Sequence, residues 1–129
     1  MGAGVMFICG SDTLILKRVL SPHDKWGGTW NFPGGKTEEG EDHYTTALRE
    51  TYEELGGDEE RQLIGSGVPY QIYDEIYCSG YTLYLAEVDV KFTPTINDEH
   101  IDWKWVPISD VLRYPLHPKD KKPFLLKWG

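Results

Sequence analysis

The chain has 129 residues, 40% of them hydrophobic and 26% charged, a balance that suits one globular domain over residues 1–129. Its formal net charge of −8 repels nucleic-acid backbones and anionic membranes, so neither a long nucleic acid nor a membrane is an expected partner, while a small anion bridged by a cation remains compatible. Two cysteines, Cys9 and Cys78, are too few for a disulfide framework, and the four His lie too far apart for a structural zinc site.

Ala3–Cys9 is a short apolar run and reads as a buried strand, Gly10–Asp12 as a turn, and Thr13–Leu20 as a second strand completing a hairpin. No basic leader precedes the first run and no apolar stretch reaches the length of a membrane span, so a reduced, cytoplasmic protein is expected. Ser21–Trp30 is rich in Pro and Gly and reads as a loop, and "NFPGGK" as a short extended piece bent at Pro33, Gly34 and Gly35. Glu41–Leu55 carries helical periodicity. At about 100° per residue, Tyr44, Leu48, Thr51 and Leu55 fall on one apolar stripe. Glu41 and Asp42 suit the positive end of that helix, and Gly56-Gly57 supplies its stop.

Val68–Cys78 and Tyr81–Val90 flank Ser79-Gly80 and predict a β-hairpin. Phe92–His100 reads as a loop, Ile101–Val106 as a strand with both tryptophans on one face, and Pro107–Tyr114 as a short helix. The remaining tail is basic and broken by prolines, and its last apolar residues are expected to dock on the domain.

The same helical projection places Glu50, Glu53 and Glu54 within about 100° of arc, opposite the apolar stripe. Carboxylates this close oppose helix formation unless compensated. Taken alone they read as a solvated acidic face. Their position directly after a Pro-Gly-Gly bend favours a second reading, because hard divalent cations prefer such oxygen ligands and magnesium often combines a few carboxylates with substrate phosphates. Arg49 is placed to pair with Glu53 one turn on, or with Glu41 two turns back.

Gly35, Glu41, Arg49-Glu50, Glu53-Glu54 and Gly56 stand at the spacing G-x5-E-x7-R-E-U-x-E-E-x-G-U, with U a bulky aliphatic residue. This segment resembles the Nudix box. "GTWNFPGG" and "NDEHIDWKWVPISD" also resemble their counterparts in MutT-like Nudix proteins, so the likeness extends over most of the chain. Thr51 and Gly57 depart from the pattern at the two U positions; Thr51 still lies on the buried stripe, so packing rather than chemistry should feel the change.

The resemblance implies an α/β (α+β) fold with a mixed β-sheet between helices, and hydrolysis of a nucleoside diphosphate linked to another group with magnesium or manganese. It further implies Glu50, Glu53 and Glu54 as metal ligands, joined by the Gly35 carbonyl, with Arg49 orienting them and Glu41 pairing with Arg49 or capping the loop. Glu99 is the candidate base or additional metal ligand, with Asp98 and His100 behind it. Lys17, Arg18 and Lys36 are candidate phosphate contacts. Trp26, Trp30, Phe32, Tyr73, Tyr81 and Trp103 divide between core and base stacking, with core the larger share. His23, His43 and His117 read as ordinary exposed residues, and both cysteines as small core residues. The expected substrate is a free nucleoside triphosphate, cleaved to monophosphate and pyrophosphate. ADP-ribose, a nucleotide sugar or a dinucleoside polyphosphate is the alternative, and a non-catalytic nucleotide-binding domain the rival class.

Overall fold

The computed structural model describes residues 1–129. Ten strands, two α-helices and one 3₁₀ helix follow in the order β1 (Gly2–Cys9), β2 (Asp12–Arg18), β3 (Trp30–Asn31), β4 (Gly34–Lys36), α1 (His43–Leu55), β5 (Gly57–Asp58), β6 (Leu63–Ile64), β7 (Val68–Pro69), β8 (Gln71–Cys78), β9 (Tyr81–Glu87), β10 (His100–Pro107), the 3₁₀ helix (Ile108–Arg113) and α2 (Pro118–Trp128). The main sheet runs β10-β2-β1-β9-β8, with β3 added to β2 and β4 to β1. β1 and β9 are parallel and the other pairs antiparallel, so the sheet is mixed, as expected.

Strand β1 is apolar at every position because it is covered on both faces. Val5 and Phe7 point into a core shared with Ala47 and Leu55 of α1, whereas Met6 and Ile8 point into a second core closed by Val111 of the 3₁₀ helix and Phe124 of α2. Leu14 and Leu16 against Ile15 repeat the alternation on β2. Trp103 and Trp105 both pack on the α1 side, as their spacing predicts. No helix is long and apolar enough to cross a membrane.

Several boundaries differ from expectation. β2 stops at Arg18, because Arg18 N–H and C=O turn to Thr29 and Gly28 of the following loop. The β8–β9 hairpin is shorter at both outer ends. Its turn is the expected one, with Ser79 and Gly80 at positive φ (52° and 82°), but Val68-Pro69 leaves it to close a small sheet with β5 and β6. The basic tail is a continuous helix. Pro118 sits at its first position, where no N–H is needed, and Pro123 is accommodated inside it.

The buried face of α1 is rotated from the expected stripe. Thr46, Ala47, Thr51, Glu54 and Leu55 are buried, while Tyr44 is exposed and rests edge-on against Tyr84. The rotation arises because β4 packs along one flank of α1 and covers Glu54, which local periodicity cannot register. Asp42 caps the helix by accepting from Thr45 N–H (2.8 Å), a contact worth about 1 kcal/mol.

The two departures from the box pattern have physical counterparts. Gly57 (φ 124°) lies so close to β6 that a Cβ would meet the Leu63 carbonyl at 2.3 Å, which excludes any side chain. Thr51 is buried with no hydrogen-bond partner for its hydroxyl. Thr51→Val keeps the shape and removes the unpaired hydroxyl. It should stabilise the fold by about 1 kcal/mol, seen as a raised urea midpoint at unchanged slope; a lowered midpoint would show that the hydroxyl is satisfied.

Candidate active site

The residues singled out between Gly34 and Lys36, along α1 and in the Asn97–His100 loop converge on one cleft of about 550 Å3. Its walls include Gly34, Gly35, Lys36, Glu50, Glu54, Asp98 and Glu99, with Arg18 and Lys119. The Pro-Gly-Gly bend permits this convergence. A Cβ on Gly35 would meet the Glu50 carboxyl carbon at 2.3 Å, and one on Gly34 would meet the Tyr81 hydroxyl at 2.5 Å. Gly34 N–H donates to Glu54 Oε1 (3.2 Å), tying the bend to the helix.

Arg49 gathers the acidic helix. Its Nε and Nη2 donate to the two Glu41 oxygens (2.7 and 3.0 Å), and its Nη1 donates to Glu50 Oε1 (2.9 Å) and lies 3.5 Å from Glu53 Oε1. Nη2 also donates to the Lys36 carbonyl (3.1 Å), which anchors the loop. Both pairings anticipated for Arg49 are therefore present at once. The guanidinium, with help from Glu38 N–H, holds the Glu41 carboxyl down to about 2.

Glu54 is almost fully buried, and that burial pushes its carboxyl well above the usual range. The Gly34 N–H opposes the shift, and the charges of Glu50 and Glu99 add to it. Glu99 comes from the loop ahead of β10, which lies along the C-terminal end of α1. Asn97 Nδ2 donates to the Glu53 carbonyl (3.2 Å), Asn97 Oδ1 accepts from Glu99 N–H (3.0 Å), and Val19 N–H donates to the Glu99 carbonyl (3.0 Å). The loop is thus pinned to α1 and to the end of β2, and the Glu99 side chain, which accepts from Asn97 Nδ2 (3.4 Å), is held at the cleft wall. Glu53 stands outside the cleft lining, exposed at the outer edge of α1.

No group of three His, Cys, Asp or Glu side chains is closed up as a metal cage. The donor chemistry still suits a hard divalent cation. Glu50 and Glu54 present carboxylate oxygens on one side of the cleft and Glu99 on another, and the buried carboxyl of Glu54 lacks a cationic partner.

Other anticipated residues fall elsewhere. Arg18 lines the cleft, but its Nη2 is bound to Asp24 Oδ2 (2.5 Å); Lys17, its neighbour on β2, does not line it. Trp30, Phe32 and Tyr81 are core residues, Trp103 is partly buried, Trp26 packs beside His117, and Tyr73 is exposed. His23 is exposed as expected, but His117 is buried and accepts from Lys119 N–H (3.1 Å) at the start of α2. His43 is half-buried, with Nδ1 at 2.6 Å from Thr82 Oγ1. Burial lowers both His100 and His117 to about 4, so His100, paired with Asn31 Oδ1 (3.0 Å), serves as a neutral structural group. Cys9 packs on the core, whereas Cys78 is half-exposed at the edge of the sheet; both are free thiols.

Two contributors from the tail gave no local signal. Lys119 reaches the cleft from α2. Asp120 is fully buried and accepts from Phe32 N–H (3.1 Å), joining α2 to the segment just ahead of the Gly-Gly bend. "HPKDKK" marks a helix start, through Pro at the first position and an acid in the first turn, but nothing in it indicates the partner 88 residues away.

A profile of the NUDIX domain matches residues 1–127, and the chain belongs to that family. It is 34% identical over 128 residues to a nucleoside triphosphatase NudI of Escherichia coli O81, covering 88% of this chain and 86% of the relative. It is 32% identical over 108 residues to a putative 8-oxo-dGTP diphosphatase 3 of Mycobacterium tuberculosis, covering 81% of this chain; the chain spans about half (48%) of that relative's length. Among solved structures, a C. elegans Ap4A hydrolase binary complex superimposes with a TM-score of 0.72 at 22% identity over 99% of this chain and 95% of that one, which shows the fold. The Nudix hydrolase RenU from M. smegmatis gives 0.68 at 25% identity over 96% and 80%.

Burial drives the Asp120 carboxyl up to about 7 against the opposing Phe32 N–H, from an ordinary value of 3.8. Between these values the folded protein holds a proton that the unfolded chain has lost, so this group's contribution to stability falls as pH rises from about 4 through 7. Asp120→Asn retains an acceptor for Phe32 N–H and does not titrate. Wild-type stability minus that of Asp120→Asn should therefore fall by about 2 kcal/mol or more between pH 4 and pH 8 in urea unfolding. A difference independent of pH would place the Asp120 carboxyl in its ordinary range.

Proposed function

We propose that this chain is a metal-dependent Nudix pyrophosphohydrolase that cleaves free nucleoside triphosphates to monophosphate and pyrophosphate. The observation that carries this reading is the cleft itself. Carboxylates of Glu50, Glu54 and Glu99 meet there under a wall bearing Arg18, Lys36 and Lys119, so that cation ligands and phosphate donors face one space. Similarity to a relative named as a nucleoside triphosphatase supports the substrate class. Both cysteines are free, in keeping with a cytoplasmic location.

Glu50, Glu53, Glu54 and the Gly35 carbonyl would hold magnesium or manganese, which supplies charge neutralisation of the diphosphate and a more acidic water. Arg49 sets the carboxylates in place through its contacts with Glu41 and Glu50. Glu99, held at the cleft wall by Asn97 and close enough to Glu54 to raise its carboxyl, takes the proton of the attacking water or serves as an outer ligand. Water then adds to the α- or β-phosphorus, the anhydride P–O bond between them breaks, and the leaving group, pyrophosphate or the nucleoside monophosphate respectively, carries away the electron pair. An intact Arg49, Glu50, Glu53 and Glu54 argues against a binding-only role.

The discriminating assay is product chromatography at fixed magnesium across nucleoside triphosphates, ADP-ribose, nucleotide sugars, dinucleoside polyphosphates and capped RNA. Triphosphates should lead and release pyrophosphate, and EDTA should abolish turnover. Inert triphosphates beside a rapidly cleaved nucleotide sugar would refute the substrate choice.

Glu53→Gln and Glu54→Gln should each fold and lose about 100-fold or more in kcat, since each removes a charge from the ligand set. Near wild-type turnover of both at saturating magnesium would refute the ligand assignment. Glu99→Gln should lower kcat far more than it raises KM. A silent Glu99→Gln beside a damaged Asp98→Asn would move the role to Asp98.

A further inference from the structure

A second cavity of about 350 Å3 adjoins the cleft and shares Lys36 and Lys119 with it. Met1, Tyr81 and Pro118 contribute apolar lining, Lys122 adds a third ammonium, and none of its eleven lining residues is an acid. Within this lining the three lysines therefore meet no carboxylate, in a chain of net charge −8. Arg18, Arg49, Arg61, Lys91, Arg113 and Lys127 are all held by carboxylates. Lys36, Lys119 and Lys122 make no ion pair, and neither do Lys17, Lys25, Lys104 and Lys121, but only these first three line one cavity together; Lys119 has the Tyr81 ring 6.0 Å from its Nζ.

The first turn of α2 does not account for the site by itself. Lys119 N–H donates to His117 Nδ1, and the Asp120 and Lys121 N–H groups donate to the His117 carbonyl, so few backbone donors are left for a ligand. The ammonium groups carry the attraction. Three ammoniums on one cavity wall are donors only, and they match a phosphate dianion better than a neutral ring or an amino-bearing edge.

We propose that this pocket is a second anion subsite, taking a phosphate group of the substrate that lies beyond the anhydride being hydrolysed. The proposal rests on the reading above for what occupies the cleft. Because Lys36 and Lys119 line both cavities, one molecule reaches both without leaving either lysine. That phosphate is either the end of a triphosphate tail or a phosphomonoester on the ribose.

The subsite is tested first without metal and without turnover. Inorganic phosphate titrated into the metal-free protein should produce saturable amide shifts at Ser79, Gly80 and Lys122. Lys122→Met, which keeps the stem and removes the charge, should weaken this binding about tenfold, the effect of one lost charge-assisted contact. No saturable shift, or equal binding by both proteins, overturns the proposal. The source of the phosphate follows from kcat/KM on a nucleoside 5′-diphosphate, its triphosphate and its 3′-phosphorylated form. Lys122→Met should cut the preference for the triphosphate, or for the 3′-phosphorylated form, over the plain diphosphate by fivefold or more, assigning the tail or the ribose, on the order of one such contact. Two unchanged preferences overturn it. Failure to hydrolyse any of the three would refute the catalytic reading while the phosphate titration still decides the subsite.

Discussion

Arg49 is the constraint on which the rest of this structure hangs. A helix bearing Glu50, Glu53 and Glu54 so close together is disfavoured by mutual repulsion. One guanidinium answers that problem by binding Glu41 through two nitrogens, Glu50 through a third, and the Lys36 carbonyl besides. Its fork geometry matters as much as its charge, since an ammonium cannot span two carboxylate oxygens, a second carboxylate and a backbone carbonyl in fixed directions. The result is an acidic helix joined to the loop that precedes it, with Glu50 turned toward Gly35.

The second constraint is the absence of side chains at Gly34 and Gly35. The sheet carries β4 against β1, and α1 packs over that pair. Any Cβ in the bend would meet the Tyr81 hydroxyl, the Ala3 carbonyl or the Glu50 carboxyl. Close approach of backbone to helix buries Glu54 and leaves it only the Gly34 N–H as partner. A buried carboxyl so weakly compensated is costly to the fold. A cation bound there would offset that cost.

Much of this was legible along the chain. The β1–β2 hairpin, the Ser79-Gly80 turn, the acidic start of α1 and the Glu41 and Glu53 pairings of Arg49 follow from spacing and local chemistry, because each depends on residues near one another in the chain. The fold class follows instead from the resemblance to Nudix proteins. The illegible features are those imposed by distant segments. Glu54 is buried by β4 and not by its own helix. Tyr44 is exposed although it lies on the apolar projection, because nothing packs over that end of the stripe except the edge of Tyr84. His117, Asp120 and Lys119 matter through contacts with the loops before α1, and a proline-rich tail gives no sign of a continuous helix docking there.

Net charge is likewise a poor guide to what the protein holds locally. The formal −8 excludes broad attraction for polyanions, yet the surface divides its charges by position rather than averaging them. Carboxylates concentrate on α1 and the Asn97–His100 loop, and most cations elsewhere are neutralised in pairs. Lys36 and Lys119 are unpaired, as several other lysines are, and differ from the others in lining both cavities. Over distances beyond roughly 8 Å, physiological salt screens the acidic surface, so an approaching small anion meets little net repulsion until it is within reach of those lysines. Acidic walls and basic boundary therefore work at different ranges.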